Sequence, residues 1–122
     1  MYFAKDMVVF ISQVKKWLKK DGVLFVGYQE GDVMPKTKNE YTTVLANALE
    51  KNEMNYEVTD ITKEIYDLLK KKRASAMMHQ VEFELEGNKN WFDMLIGQTE
   101  SASESFEQFQ EKMARYIYVI KK

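Results

Sequence analysis

The sequence predicts an α/β fold in which about four helices cover a small sheet. Three observations predict it: amphipathic stripes at helical spacing, short apolar runs rich in β-branched and aromatic residues, and the alternation of the two along the chain. The 122 residues are enough for a core of their own. We therefore expect a single domain over residues 1–122.

The first helix is predicted between Asp6 and Lys20, and Asp21-Gly22 should end it because that pair tolerates left-handed backbone geometry. A continuous apolar run follows over Val23–Tyr28 and predicts a strand buried on both faces, inside a parallel sheet. The helix is indicated by apolar residues that recur every three or four positions: Phe10, Ile11, Val14, Trp17 and Leu18.

The middle of the chain predicts a loop, a second helix and a second strand. Glu30–Asn39 contains the only proline and has no steady period, so it should be a loop. Apolar positions from Tyr41 to Leu49 predict a helix that ends near Lys51. Residues 56–61 predict a strand from their Tyr, Val, Thr and Ile content.

The last third predicts two helices and a closing strand. One long helix should run from about Lys63 to Glu86, with Thr62 as N-cap and Gly87-Asn88 as its stop. Ser101 and Glu104 fit a capping box that begins the final helix. The run Tyr116–Ile120 predicts the final strand.

Composition excludes several classes of function. The net charge of −1 gives no field that attracts nucleic acid or an anionic membrane. The chain has no cysteine, and His79 is its only histidine, which disfavours a metal site. No apolar run approaches the roughly 20 residues of a membrane span, and no secretory signal is evident. We therefore expect a cytoplasmic protein without nucleic-acid or membrane partners.

Three segments resemble class I (Rossmann-like) S-adenosylmethionine-dependent methyltransferases of the small-molecule type. The first, Leu18-Lys-Lys-Asp-Gly22 between an amphipathic helix and an apolar strand, is similar to the Leu-Lys-Pro-Gly-Gly turn before their fifth strand, without its proline and first glycine. Tyr56–Thr62, followed by a long helix, resembles their sixth strand and inserted lid helices, here at about 62–100. Tyr116–Lys121 is similar to their seventh strand.

This resemblance implies the C-terminal half of that fold, with strands in the spatial order five, seven, six and the seventh antiparallel to its neighbours. It also implies S-adenosylmethionine as the cofactor and a small molecule as the methyl acceptor of the complete enzyme. None of the five glycines is spaced as G-x-G-x-G. We therefore expect no cofactor-binding residues in this chain, and no activity from the chain alone.

Candidate substrate-binding residues follow from the same resemblance. Ligands of such folds lie beyond the carboxyl ends of parallel strands, which singles out Tyr28, Glu30 and Asp32. Their ordinary interpretation is a strand-end tyrosine and a solvated acidic loop. Trp91 and Phe92 could line the substrate side of a lid, or could anchor a long connection to the core. No catalytic residue is identified, and His79, mid-helix without an evident carboxylate partner, is interpreted as a surface residue.

A second hypothesis is a non-catalytic interaction module. Without a fourth strand, the apolar strand Val23–Tyr28 lies at a sheet edge, where unpaired backbone groups invite another chain to pair. Covering that edge with a second copy would produce a homodimer. We therefore keep a homodimer as the expected assembly.

Overall fold

A computed structural model describes residues 4–31 and 34–122. The chain divides into two compact units: a sheet unit within Met1–Ile61 and Met113–Lys122, and a helical unit, Thr62–Lys112. The sheet unit contains α1 (Met7–Trp17), β1 (Val23–Glu30), α2 (Val44–Lys51), β2 (Asn55–Asp60) and β3 (Ala114–Lys121). The helical unit contains α3 (Thr62–Met78), α4 (Gln80–Leu85), α5 (Lys89–Gln98), a 3₁₀ turn (Glu100–Ser103) and α6 (Phe106–Lys112).

The sheet has three strands in the order β1-β3-β2, and β3 is antiparallel to both neighbours. Consequently β1 and β2 run parallel to each other on either side of the strand that comes last in the sequence. The α/β class is confirmed, and the three strands pair in the expected order.

One face of the sheet packs against α1 and α2 and forms the core of the sheet unit. Strand residues alternate between two faces, so the even-numbered residues of β1 and β3 share the inner face. The buried core joins these strand positions to one side of each helix: Met7, Ile11, Leu45, Ala48, Leu49, Tyr28, Tyr116, Tyr118 and Ile120. Burial of this apolar surface supplies most of the unit's stability.

The other face of the sheet is largely open, which corrects the prediction of a strand buried on both faces. Phe25 is 70% exposed and Val23 is 46% exposed, and Ile117 on β3 is also exposed. A continuous apolar run is compatible with a strand buried on both faces and equally with a strand whose apolar outer face is exposed to solvent. Among the described residues β1 pairs only with β3, so it is also an antiparallel edge strand and not an interior parallel one.

The ends of α1 follow local chemistry. The Asp6 carboxylate caps the helix by accepting from the Val9 amide at 3.2 Å. The helix ends at Trp17, earlier than expected. The left-handed residue of the turn is Asp21, with φ of 63°, while Gly22 is needed for space because a Cβ there would lie 2.7 Å from the Lys19 carbonyl oxygen.

The other elements of the sheet unit fall close to their predicted positions. Helix α2 begins after Thr43, whose hydroxyl accepts from the Ala46 amide at 3.0 Å. Strand β2 covers Asn55–Asp60 and β3 covers Ala114–Lys121. Glu30, assigned to the loop by its sequence, is the last residue of β1.

The predicted long helix of residues 63–86 is two helices. It breaks at His79, whose φ of −104° and ψ of 15° are not helical, and α4 then turns so that the Phe83 ring lies 6.0 Å from the Phe92 ring on α5. The contact of this aromatic pair stabilises the changed direction of α4. Gly87, with φ of 75°, ends α4 as expected.

The capping box of the last helix lies four residues later than predicted. Ser101–Glu104 falls on the 3₁₀ turn and its exit. The box consists of Ser105 and Gln108 instead: the Ser105 hydroxyl accepts from the Gln108 amide at 3.3 Å, and the Gln108 side chain accepts from the Ser105 amide at 3.2 Å. Both pairs fit the same sequence pattern, and the pair nearer the apolar stripe is the one used.

The helical unit has an aromatic core of its own. Tyr66 on α3 lies 5.5 Å from Phe106 and 5.2 Å from Phe109, measured between ring centroids, and both partners belong to α6. The Tyr66 hydroxyl donates to the Glu104 carbonyl at 2.6 Å, and Lys63 Nζ lies 4.8 Å from the centre of the Phe106 ring. These contacts hold the first turns of α3 against α6.

Candidate functional site

The carboxyl end of β1 and the middle of β3 carry a group of polar aromatic and acidic side chains inside the sheet unit. We call Tyr28, Glu30, Tyr116 and Tyr118 the tyrosine–glutamate cluster. All four are almost completely buried. The register places Tyr28 opposite Tyr116, and the alternation of side chains puts all four on the inner face.

Aromatic contacts fix the three rings of the cluster. The Tyr28 and Tyr118 rings are 6.0 Å apart at an interplanar angle of 88°, and the Tyr116 and Tyr118 rings are 6.2 Å apart at 79°. Edge-to-face arrangements of this kind match the positive edge of one ring to the negative face of the next. Tyr118 also lies 5.8 Å from Tyr56 on β2, so it contacts aromatic residues of all three strands.

The Tyr118 hydroxyl is held by two hydrogen bonds at the start of α2. It donates to the Glu40 carbonyl at 2.6 Å and lies 2.7 Å from the Thr43 hydroxyl oxygen. Because a phenol has one proton, Thr43 must donate to Tyr118 while accepting from the Ala46 amide. Thr43 therefore joins the helix cap to the central strand.

Glu30 is fully buried, and its carboxyl group is bound by the segment that follows β1. The Thr37 amide donates to one carboxyl oxygen at 3.1 Å, and the Thr37 hydroxyl lies 2.9 Å from each carboxyl oxygen. Ala114 is opposite Glu30 in the register, and its small side chain leaves room for the acid. Glu30 thus fixes the connection between β1 and α2, and it is not part of a solvated loop.

Burial raises the pKa of two phenols of the cluster, Tyr116 and Tyr118. Desolvation, followed by the nearby acidic side chain of Glu30, raises the pKa of Tyr116 to about 12. Desolvation likewise raises the pKa of Tyr118 above its ordinary value. Tyr116 and Tyr118 therefore offer no phenolate base near neutrality, and the Tyr118 proton is already donated to the Glu40 carbonyl.

We expect alkaline pH to destabilise the sheet unit through these tyrosines. The pKa of Tyr56 is also raised to about 12, by desolvation and then by its hydrogen bond to Glu50. A folded-state pKa above the unfolded value of about 10 contributes stability below about pH 10, which is lost as pH rises towards about 12. Urea unfolding at about pH 8 and about pH 11 measures the loss. Tyr116→Phe should reduce the difference, and an unchanged difference in that variant would contradict the assignment.

Of the five predicted site residues, two belong to the sheet unit's cluster and two to the helical unit. Tyr28 and Glu30 both belong to the cluster. Asp32 lies outside the described residues. Trp91 and Phe92 are on α5 of the helical unit, and not in a connection without secondary structure; Trp91 is 61% exposed, whereas Phe92 is buried beside Phe83.

Sequence reasoning missed Tyr116, Tyr118, Thr43 and Thr37. Tyr116 and Tyr118 could have been found from the sequence, because the pattern Tyr-x-Tyr in a strand places both rings on one face. Thr43 could also have been found, because it immediately precedes an apolar helical stripe. Thr37 could not, since its role depends on how an irregular segment folds back on Glu30.

A groove of about 490 Å³ lies on the helical unit. It is lined by residues of α3, α4 and α5 together with His79: Lys72, Ser75, Ala76, His79, Glu82, Phe83, Glu86 and Leu95. His79 Nδ1 lies 3.1 Å from Glu82 Oε2, a carboxylate partner three residues away that the sequence analysis overlooked. Both side chains are largely solvated, consistent with His79 as a surface residue.

No protein-family model matches this sequence, and neither a curated protein nor a solved structure matches it. Among residues 4–31 and 34–122, no group of three or more acidic or histidine side chains is arranged to hold a metal ion. Within the same ranges, no helix is both long and apolar enough to cross a bilayer.

Proposed function

We propose that this chain forms the C-terminal portion of a class I S-adenosylmethionine-dependent methyltransferase that acts on a small molecule. The observation that carries the proposal is the topology: two mutually parallel strands flank a central antiparallel strand that comes last, after a helical insertion. This is the arrangement that the resemblance to the fifth, sixth and seventh strands implies. The open apolar face of the sheet further supports a larger parent fold.

In this proposal the substrate side lies at the carboxyl ends of β1 and β2. Parallel strands β1 and β2 end at the same edge of the sheet, and ligands of open α/β sheets bind beyond such an edge. Glu30 is the last residue of β1 there. Glu30 is buried and bound to Thr37, so its role at this edge is to hold the backbone in place.

The residues present do not fit S-adenosylmethionine. A glycine-rich turn between a strand and a helix normally cradles such a cofactor. Gly22 joins a helix to a strand, Gly27 is inside β1, Gly97 is inside α5 and Gly87 ends α4. Gly31 follows β1 but precedes a connection of about a dozen residues, not a tight turn into a helix. We therefore assign no step of the transfer to this chain alone.

Calorimetric titration with S-adenosylmethionine tests whether the chain alone binds the cofactor. We expect no heat of binding from the 122-residue chain, and a micromolar dissociation constant would contradict this expectation.

The coding sequence upstream of the Met1 codon tests whether the chain is part of a methyltransferase. A strand followed by a glycine-rich turn, in frame, would support the proposal, and an in-frame stop codon directly before Met1 would contradict it.

A second candidate role is a non-catalytic module that works by self-association. Phe25, which is 70% exposed on a strand with no second pairing partner among the described residues, favours it. An exposed apolar edge strand is a template for pairing with another chain. This role does not depend on the methyltransferase proposal.

A further inference from the structure

The outer edge of β1 has an unusual composition for an exposed edge. Natural edge strands are blocked by charges, proline or bulges. Val23–Gln29 contains neither a charge nor a proline, and it pairs with β3 residue for residue without a bulge. Nothing in this stretch opposes pairing with another strand.

The backbone groups that face outward can be identified. The Lys122 amide donates to the Gly22 carbonyl at 3.4 Å, so Gly22 and the even-numbered residues of β1 direct their backbone groups towards β3. Antiparallel ladders alternate in this respect. The N–H and C=O groups of Phe25 and Gly27 therefore point away from β3, towards the open edge.

Phe25 and Gly27 also form a protrusion and a gap on the same face of the sheet. They are two residues apart and both lie on the outer face. A Cβ built on Gly27 would meet nothing within 4 Å, and Gly27 is paired with Ile117, whose side chain is exposed beyond it. The strand therefore presents an aromatic ring beside a space with an apolar wall.

We propose that two copies of this chain pair through β1, antiparallel, about a twofold axis at Val26. In this register Phe25 of each copy lies opposite Gly27 of the other, where cross-strand aromatic contacts commonly cover a glycine. Those two residues then form the hydrogen-bonded pairs that their outward backbone groups require. The contact is isologous and closes at two copies, giving a continuous six-stranded sheet.

This inference specifies the partner and the register for the second candidate role. It does not rest on methyl transfer. A further strand of a larger fold would use the same backbone groups, so a second copy and such a strand are alternative occupants of one edge. If no dimer forms, the methyltransferase proposal is unaffected, because the upstream coding sequence tests it separately.

Single-cysteine variants test the register, since the chain has no cysteine of its own. At the twofold axis, Val26 would face its counterpart as a non-hydrogen-bonded pair with Cα atoms about 4.5 Å apart, within reach of a disulfide. We expect Val26→Cys to form a covalent dimer on mild oxidation. Leu24→Cys is the matched control on the same face, because its counterpart would be about 14 Å away.

Substitution of the protruding ring tests the interface independently. We expect light scattering and sedimentation to show a dimer for the unmodified chain, and Phe25→Lys to weaken it about tenfold or more. The matched control is Trp17→Lys, at a ring that is 72% exposed on α1, which should leave the dimer unchanged. Circular dichroism checks that both variants fold.

Three results would overturn the proposal. The first is a monomer of the unmodified chain at high concentration. The second is efficient crosslinking of Leu24→Cys, or of Phe25→Cys in place of Val26→Cys, which would show a different register. The third is a dimer that Phe25→Lys leaves as tight as before.

Discussion

Tyr118→Ala is expected to lower the free energy of unfolding of the sheet unit by about 3–5 kcal/mol, the range for removing a large buried aromatic side chain. The Tyr118 ring is completely buried and contacts aromatic rings on all three strands. Because single domains are stable by only about 5–15 kcal/mol, the variant should be close to unfolding. Urea denaturation monitored by circular dichroism measures the change.

Tyr118→Phe separates the hydroxyl from the ring. It keeps the packing but leaves the Glu40 carbonyl and the Thr43 hydroxyl without their partner, at a cost of about 1–3 kcal/mol. The control is Tyr41→Ala, at a ring that is 57% exposed and lies 6.5 Å from the Tyr56 ring, which should cost about 1 kcal/mol or less. If Tyr118→Ala and Tyr41→Ala were equally mild, the central position of Tyr118 in the core would be wrong.

Glu30→Ala is expected to cost about 2–4 kcal/mol and to loosen the connection after β1. The substitution leaves the Thr37 amide and hydroxyl without their acceptor and opens a space beside Ala114. The local effect is separable from the global one, because amide hydrogen exchange at Thr37 should become faster even under conditions where the sheet is intact.

Two further variants show whether the carboxyl group itself is responsible. Glu30→Gln retains an oxygen acceptor for Thr37 and should recover part of the lost stability. Glu57→Ala, at a side chain that is 79% exposed, should change stability by no more than about 0.5 kcal/mol. Unchanged exchange at Thr37 in Glu30→Ala would contradict the assigned role.

Most secondary structure of this chain could be predicted because the signals are local. The stripe from Phe10 to Leu18 and the run from Tyr116 to Ile120 identify a helix and a strand without knowledge of their surroundings. The errors occurred where the signal depends on packing. The break at His79 is stabilised by the contact of Phe83 with Phe92, and no pattern within the helix indicates it.

In the candidate site, too, local features could be predicted from the sequence, whereas features that depend on packing could not. Tyr28 and Glu30 could be singled out because they end a predicted strand, a place where open sheets bind ligands. The burial of Glu30 could not, since it depends on Thr37 folding back from an irregular segment. The open face of β1 was also missed, because apolar residues of alternating exposure look identical in sequence to those of a fully buried strand.

The position of β3 in the sheet has a consequence for synthesis. Strands β1 and β2 are not neighbours; each pairs with β3, which the ribosome makes only after the whole helical unit. The helical unit is continuous in sequence and can fold as it emerges, whereas the sheet needs contacts across about ninety residues, which form slowly. Until β3 is made, the uncharged run Val23–Gln29 lacks the strand that pairs with one of its edges. Unpaired apolar strands are prone to aggregate, so β1 is at most risk of aggregation before β3 is complete.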